Sequence, residues 1–289
     1  MLKIKFLPRF IVLMLLVLSL DGNTTGRLLS ISDNSNDDLT EVEIIHNLRY
    51  GKTPKGLEEN SSSDRQLDLY LPKGTKENMP VLIFIHGGGY SGGDKKANAD
   101  LCQKISEHGI AVVSMNYYLT LKHEKIAGVS CSANMAQGIP EDGFHPQLNK
   151  AIKNAAGDTK KVIKWVKMNS GKYGFDLSSV SLAGGSAGAM TALYTAFVSG
   201  QKILPIHAVV NLWGGLENPE LVKRNAPPVL TYHGDLDKLI HVEYSYTLHK
   251  HLEKTGDTKS QFHVLENKGH AMYKLIANEK VEEIAEFLK

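Results

Sequence analysis

The sequence predicts an α/β protein built on one doubly wound, mostly parallel sheet with helices on both faces. Three observations carry this expectation. A short continuous apolar run at residues 81–85 and further buried-strand patterns, such as 110–117, alternate with helical patterns, as buried parallel strands and their crossover helices do. A glycine-rich turn, Gly184-Gly185-Ser186-Ala187-Gly188, joins an apolar strand (residues 180–183) directly to a helical pattern (Met190, Leu193, Tyr194, Phe197). Two further polar turns, around Asp237 and His270, each follow a later strand-like run.

Taken in order, residues 1–9 carry Lys3, Lys5 and Arg9, and residues 10–20 are an almost unbroken apolar run. A basic segment before a short apolar core reads as a secretory signal peptide over residues 1–22. A membrane span needs about 20 apolar residues; an uncleaved anchor is the competing reading, because no small-x-small cleavage site follows Leu20. The expectation is a secreted or periplasmic protein with no stable membrane insertion after signal cleavage. Residues 23–40 are rich in Asn, Ser, Asp and Thr, have little to bury, and are expected to form a disordered linker. The folded domain is expected over residues 41–289.

Within that domain residues 41–50 read as a strand. Residues 66–71 alternate polar and apolar, as a half-exposed antiparallel edge strand does, and Pro72 ends them. Residues 97–108 read as a helix ended by Gly109. Residues 154–169 read as another, with Val162, Ile163, Trp165 and Val166 on its apolar face. Strands are expected at 208–213, 229–233 and 261–265, and a helix at about 242–255. An amphipathic helix ending in Val281, Ile284, Ala285 and Leu288 closes the chain. Residues 121–148 lack periodicity and carry Gly128, Gly138, Pro140, Gly143 and Pro146; a loop of that length is uncommon unless it is a lid or binding loop. The link from Trp213 to Val229 is too short to hold a large cap domain.

Composition excludes some classes. The chain has 289 residues, 42% hydrophobic and 22% charged, enough to bury a full core. Its 33 basic and 31 acidic residues leave a net charge of +2 with no basic block, so nothing favours a nucleic-acid partner. The 12 histidines and 2 cysteines show no metal-ligand spacing, so no metal or other cofactor is expected. Cys102 and Cys131 admit one disulfide or two separate buried thiols. Nothing in the sequence speaks to oligomeric state.

The polar turns carry the chemistry. Gly184 to Gly188 fits G-x-S-x-G in the strand–turn–helix setting of a nucleophile elbow, where glycines let strand and helix pack closely. A serine hydroxyl needs a base, and the base needs an orienting group. His270, in Gly269-His270 past the last strand, fits the base. Asp237, in His233-Gly234-Asp235-Leu236-Asp237, fits the acid, with Asp235 as the alternative. His86-Gly87-Gly88-Gly89-Tyr90, past an earlier strand, fits an oxyanion loop whose donors would be the amides of Gly88, Gly89 and Ala187; His86 fits a structural role, holding that loop. Tyr90, Tyr117 and Trp213 fall at carboxyl ends of strands, where open α/β sheets bind ligands, and are candidate substrate-binding residues.

With these motifs and with residues 67–72, 172–176 and 228–237, the chain resembles the α/β-hydrolase superfamily, specifically its HGGG-bearing carboxylesterases and most closely the small bacterial acetyl and feruloyl carbohydrate esterases. The resemblance spans residue 66 to the C-terminus. It implies a Ser186–His270–Asp237 triad that forms an acyl-enzyme, and a small-molecule or oligosaccharide ester as substrate. It assigns the acid of the H-G-x-x-D pattern to Asp237. Tyr118 departs from the arginine usual after Asn-Tyr, which leaves the alcohol pocket unassigned. A general short-chain esterase or lipase, a peptidase or amidase on the same fold, and a non-catalytic binding protein are the competing readings.

Overall fold

The computed structural model describes residues 39–75 and 77–289. The expected signal peptide and all of the linker up to residue 38 lie outside the described residues. Thr40, assigned to the linker, already hydrogen-bonds the Glu107 carbonyl through its N–H and its hydroxyl.

Eight strands form one sheet in the order β1-β2-β4-β3-β5-β6-β7-β8. β1 (Val42–Arg49) and β2 (Gln66–Pro72) are antiparallel to each other, and β2 is antiparallel to β4 (Ala111–Met115). From β4 onward, β3 (Met79–Ile85), β5 (Phe175–Gly185), β6 (Val209–Leu212), β7 (Val229–Gly234) and β8 (Gln261–Leu265) all run parallel. Because side chains alternate along a strand, β3 sends Val81, Ile83 and Ile85 to one core and Leu82 and Phe84 to the other. The first core is covered by α4 (Pro146–Tyr173), α5 (Ala187–Leu193) and α6 (Glu243–Lys254). The second is covered by α1 (Ala99–Glu107), α7 (Tyr273–Glu279) and α8 (Val281–Leu288). Two-sided burial is why β3 reads as a nearly unbroken apolar run and β4 as one interrupted only by the buried Ser114.

Three expectations are corrected. Residues 66–71 are not an edge: β1 covers that flank, and β2 is buried along nearly its whole length. Its polar positions point inward because they are paired. Asp68 meets Lys95 Nζ at 2.9 Å and accepts the Asn47 N–H at 2.8 Å. The long helix begins not at residue 154 but at Pro146, which occupies the first turn where a missing N–H costs nothing. His145 caps that end by accepting the Gln147 N–H, and Gly174 at φ 72° closes the other. The aperiodic segment 121–148 contains two short helices, α2 (Thr120–His123) and α3 (Cys131–Met135), before α4 starts.

Candidate active site

Ser186 sits between β5 and α5 with φ 57° and ψ −124°, a conformation that costs a non-glycine residue about 1–3 kcal/mol. Neighbouring bonds hold it there: its N–H donates to the Leu212 carbonyl at 2.9 Å, and its carbonyl accepts from Met190 N–H at 3.0 Å. The flanking glycines are forced by proximity. A Cβ on Gly184 would stand 2.5 Å from the Gly188 carbonyl carbon, and one on Gly188 would collide with the Ile85 carbonyl of β3. The Ser186 hydroxyl makes no hydrogen bond among the described residues and opens onto a cleft of about 430 Å³ that His270 also lines.

The turn after β7 presents Asp237, and the turn after β8 presents His270. His270 Nδ1 donates to Asp237 Oδ2 at 2.6 Å. The other carboxylate oxygen accepts the N–H groups of Leu239 (2.8 Å) and Ile240 (3.0 Å). A second histidine supports the acid. His233 Nε2 lies 2.9 Å from the Ile240 carbonyl and 3.2 Å from Asp237 Oδ2, while Nδ1 lies 2.7 Å from Ser245 Oγ. A carbonyl only accepts, so these partners assign the proton to Nε2 and let Ser245 donate to Nδ1. Burial alone would push the Asp237 carboxyl up, but the hydrogen bonds from His233 and His270 outweigh it and hold it far below the usual carboxylate range. Asp237 stays ionised and fixes the His270 tautomer with Nε2 free. The alternative acid, Asp235, is exposed, and among the described residues its side chain accepts only the Lys268 N–H, at 3.3 Å.

The oxyanion loop follows β3. Gly88 (φ 114°) and Gly89 (φ 60°) take backbone conformations that disfavour side chains, and a turn closes behind them through Ser91 N–H and Gly92 N–H to the Gly88 carbonyl. Both glycines line the cleft; Ala187 is buried, its N–H at the first turn of α5 beside Ser186. His86 is buried and stacks on Tyr117 at 4.4 Å. Its Nδ1 lies 2.6 Å from the Gly87 carbonyl, and burial pushes its pKa down to about 4, so it holds the loop as a neutral ring.

The BD-FAE family model matches residues 67–130 and 147–212, and that of the prolyl oligopeptidase family matches residues 208–289. A fumonisin B1 esterase from Sphingopyxis macrogoltabida is 30% identical over 151 residues, covering 49% of this chain and 24% of that protein. The chain spans well under half the length of the curated relatives it matches. Esterase Est2 from Thermogutta terrifontis superposes with a TM-score of 0.63 at 17% identity, over 86% of this chain and 90% of that one. A truncated carbohydrate esterase from gut microbiota superposes with a TM-score of 0.61 at 19% identity, over 87% and 96%. This chain has the α/β-hydrolase fold.

Within that fold some expected binding residues move. Tyr90, Tyr117 and Trp213 do not line the cleft; all three are fully buried beneath it. Tyr90 donates its hydroxyl to the Ala187 carbonyl (2.9 Å), and Tyr117 donates to the His86 carbonyl (2.9 Å). Trp213 packs edge-on toward His270 at 6.3 Å. They brace the elbow, the oxyanion loop and the base from below. Tyr118 lines a separate polar hollow with Arg65 and Asp158. The cleft wall comes instead from Ser130, Cys131, Ser132, Leu239 and Tyr273. Cys131 and Cys102 are separate buried thiols, each pushed up to about 12 by burial. Of the residues missed in the sequence, His233 lies on β7 four residues before Asp237, inside a segment already singled out, whereas Tyr273 opens α7 three residues after His270, just beyond one. Among the described residues, no group of three or more His, Cys, Asp and Glu side chains could hold a metal ion.

Proposed function

We propose that the protein is a serine-dependent carboxylester hydrolase that works through an acyl-enzyme. The observation that carries this is the His270–Asp237 hydrogen bond, which leaves Nε2 of the base for the cleft onto which the strained Ser186 opens. Ser186 Oγ attacks the ester carbonyl as His270 Nε2 takes its proton. The oxyanion that forms is held by the amides of Gly88, Gly89 and Ala187, each such donor supplying about 3 kcal/mol. The tetrahedral adduct collapses, the C–O bond to the alcohol breaks, and His270 returns the proton to the leaving oxygen. Water, deprotonated by the same base, then releases the acid and frees Ser186.

The substrate class we propose is an acyl ester, acetyl or feruloyl, of a sugar or plant polysaccharide. The match to the BD-FAE model and the likeness to a gut carbohydrate esterase support it, as does a cleft rimmed by the hydroxyl-bearing Ser91, Ser130 and Ser132. The basic and apolar N-terminal segment supports an exported enzyme that would meet such substrates outside the cell. The match of residues 208–289 to the prolyl oligopeptidase family favours a second reading, cleavage of an amide by the same triad. Ser186→Ala is expected to lower turnover of a chromogenic acetyl ester by about 10⁶-fold; wild-type turnover would overturn the mechanism. Release of acid from acetylated and feruloylated oligosaccharides, measured beside arylamides and long-chain acyl esters, decides the substrate class. Cleavage of arylamides alone or of long-chain esters alone would remove the carbohydrate assignment.

A further inference from the structure

Gly87 and Gly185, like Gly184 and Gly188, lack the positive φ of Gly88 and Gly89, so crowding and not backbone conformation is what requires glycine there. At Gly185 a single phenol excludes a side chain, and at Gly87 the same phenol does so together with the Gly185 carbonyl. A Cβ on Gly185 would collide with the Tyr273 hydroxyl and stand 2.6 Å from Cζ of the same ring. A Cβ on Gly87 would stand 2.9 Å from the Gly185 carbonyl oxygen, 3.0 Å from that hydroxyl and 3.4 Å from Ser186 Cβ. Tyr273 opens α7, three residues beyond His270, and its ring meets Trp213 edge-on at 4.9 Å and 82°. The side chain therefore reaches from the base loop to the residue before the nucleophile and to the first glycine of the oxyanion loop.

The hydroxyl is shut away from solvent and completes no hydrogen bond among the described residues, and the same holds for Trp213 Nε1. Two N–H groups nevertheless face the phenol oxygen, the Trp213 indole and the Gly87 amide, without reaching full hydrogen-bond geometry. Both are donors only, so the oxygen is placed as their acceptor. A buried polar atom left short of partners needs a reason, and a place where three catalytic segments converge supplies one.

We propose that Tyr273 is a positioning residue of the catalytic machinery, a strut that sets the elbow, the oxyanion loop and the base loop at their working separations. The proposal rests on the ester-hydrolase reading. It makes the second glycine of Gly184-Gly185-Ser186 a consequence of Tyr273 and not of backbone strain.

The test uses the full chain, a chromogenic acetyl ester, and thermal unfolding of each variant. Tyr273→Phe keeps the ring and removes the oxygen that Gly87 faces; kcat is expected to fall about tenfold, with KM within twofold and Tm unchanged or higher. Gly185→Ala is expected to lower kcat by about 100-fold in the wild-type background, since displacement of reacting groups by about 1 Å has that effect. In a Tyr273→Leu background the same Gly185→Ala change is expected to add less than threefold. Wild-type kcat in Tyr273→Phe, or an equal Gly185→Ala loss in both backgrounds, would overturn the proposal. A role in packing alone would move Tm and leave kcat of the folded enzyme unchanged. Ser186→Ala, assayed alongside, tests the underlying reading separately: activity surviving there refutes the hydrolase mechanism, whereas the Gly185–Tyr273 coupling is still read in Tm.

Discussion

Asp68 and Asp237 are the same residue type in similar isolation from water, with opposite uses. Each side chain is almost completely buried, and for each, burial pushes the carboxyl up while hydrogen bonds and a basic neighbour bring it below the usual range. Asp68, in the middle of β2, is paired with Lys95, itself only 2% exposed, and Lys95 also donates to Asn47 Oδ1 at 2.9 Å. That pair is closed on every side and ties the bulged strand β1, β2 and the segment after the oxyanion loop together. Asp237 is paired with His270, whose side chain is 12% exposed and reaches the cleft. A depressed carboxylate therefore does not mark a catalytic acid by itself. What separates the two is the partner: Lys95 is held between Asp68 and Asn47 away from any cleft, while His270 has one nitrogen held and the other free to exchange a proton with substrate.

The sharpest way to break this contrast is to neutralise each acid in turn. Asp237→Asn should lower kcat by about 10⁴-fold, or about 5 kcal/mol of transition-state stabilisation, because the wrong tautomer of His270 is then favoured. Its Tm should fall less than that of Asp68→Asn, since the His270 imidazole it abandons is partly in contact with water and His233 keeps the Ile240 carbonyl and Ser245 as partners. Asp68→Asn should do the reverse. It leaves the Lys95 ammonium buried without a counter-charge, and breaking a buried pair from one side costs about 3–5 kcal/mol of stability. Denaturant midpoints and kcat of the folded enzyme, measured on both variants, give the answer. If Asp68→Asn abolished turnover at unchanged stability, the buried pair would have to be counted with the catalytic machinery.

The same contrast explains what could be read in the sequence. The elbow, the acid, the base and the glycine loop were legible because each is a short turn at the end of an apolar strand, with residue types that few other roles require. Strand β2 misled because its polar positions, ordinarily a sign of exposure, are filled by an inward-facing ion pair that only the tertiary structure supplies. Tyr90 and Trp213 stand at the carboxyl edge as expected, yet positive φ values of 61° and 45° accompany side chains that lie in the core and not in the cleft. The cleft wall was hidden for another reason. Cys131 and Ser132 sit in an aperiodic segment within residues 131–146, the gap between the two stretches that match the BD-FAE model. Short helices such as α3 leave too little periodicity to detect. Tyr273 was invisible because its role is set by a contact with Gly185, 88 positions earlier in the chain.

A smaller effect sharpens the comparison on the histidine side. His249, on α6, is buried against Phe262 at 5.1 Å with Nε2 2.8 Å from Thr231 Oγ1. Burial pushes its pKa down to about 4, the nearby Asp257 raising it slightly and His263 lowering it. Unlike His270, it makes no ion pair with a carboxylate among the described residues. An unfolded histidine titrates near 6.5, so between about pH 6.5 and 4 the unfolded chain binds the extra proton. Stability from this group is therefore complete above about pH 6.5 and declines as pH falls toward 4. His86 contributes with the same sign in the same window, whereas the depressed carboxylates Asp64, Asp68 and Asp237 lose their contributions only at lower pH. His249→Gln keeps a hydrogen-bonding group near Thr231 but cannot be protonated. Urea unfolding at pH 7 and pH 4.5 should show a loss of stability in the wild type that is smaller in the variant by on the order of 2 kcal/mol. An equal loss in both would mean that His249 meets its proton in the folded state as readily as in the unfolded one, and that its burial is relieved by a local opening of α6.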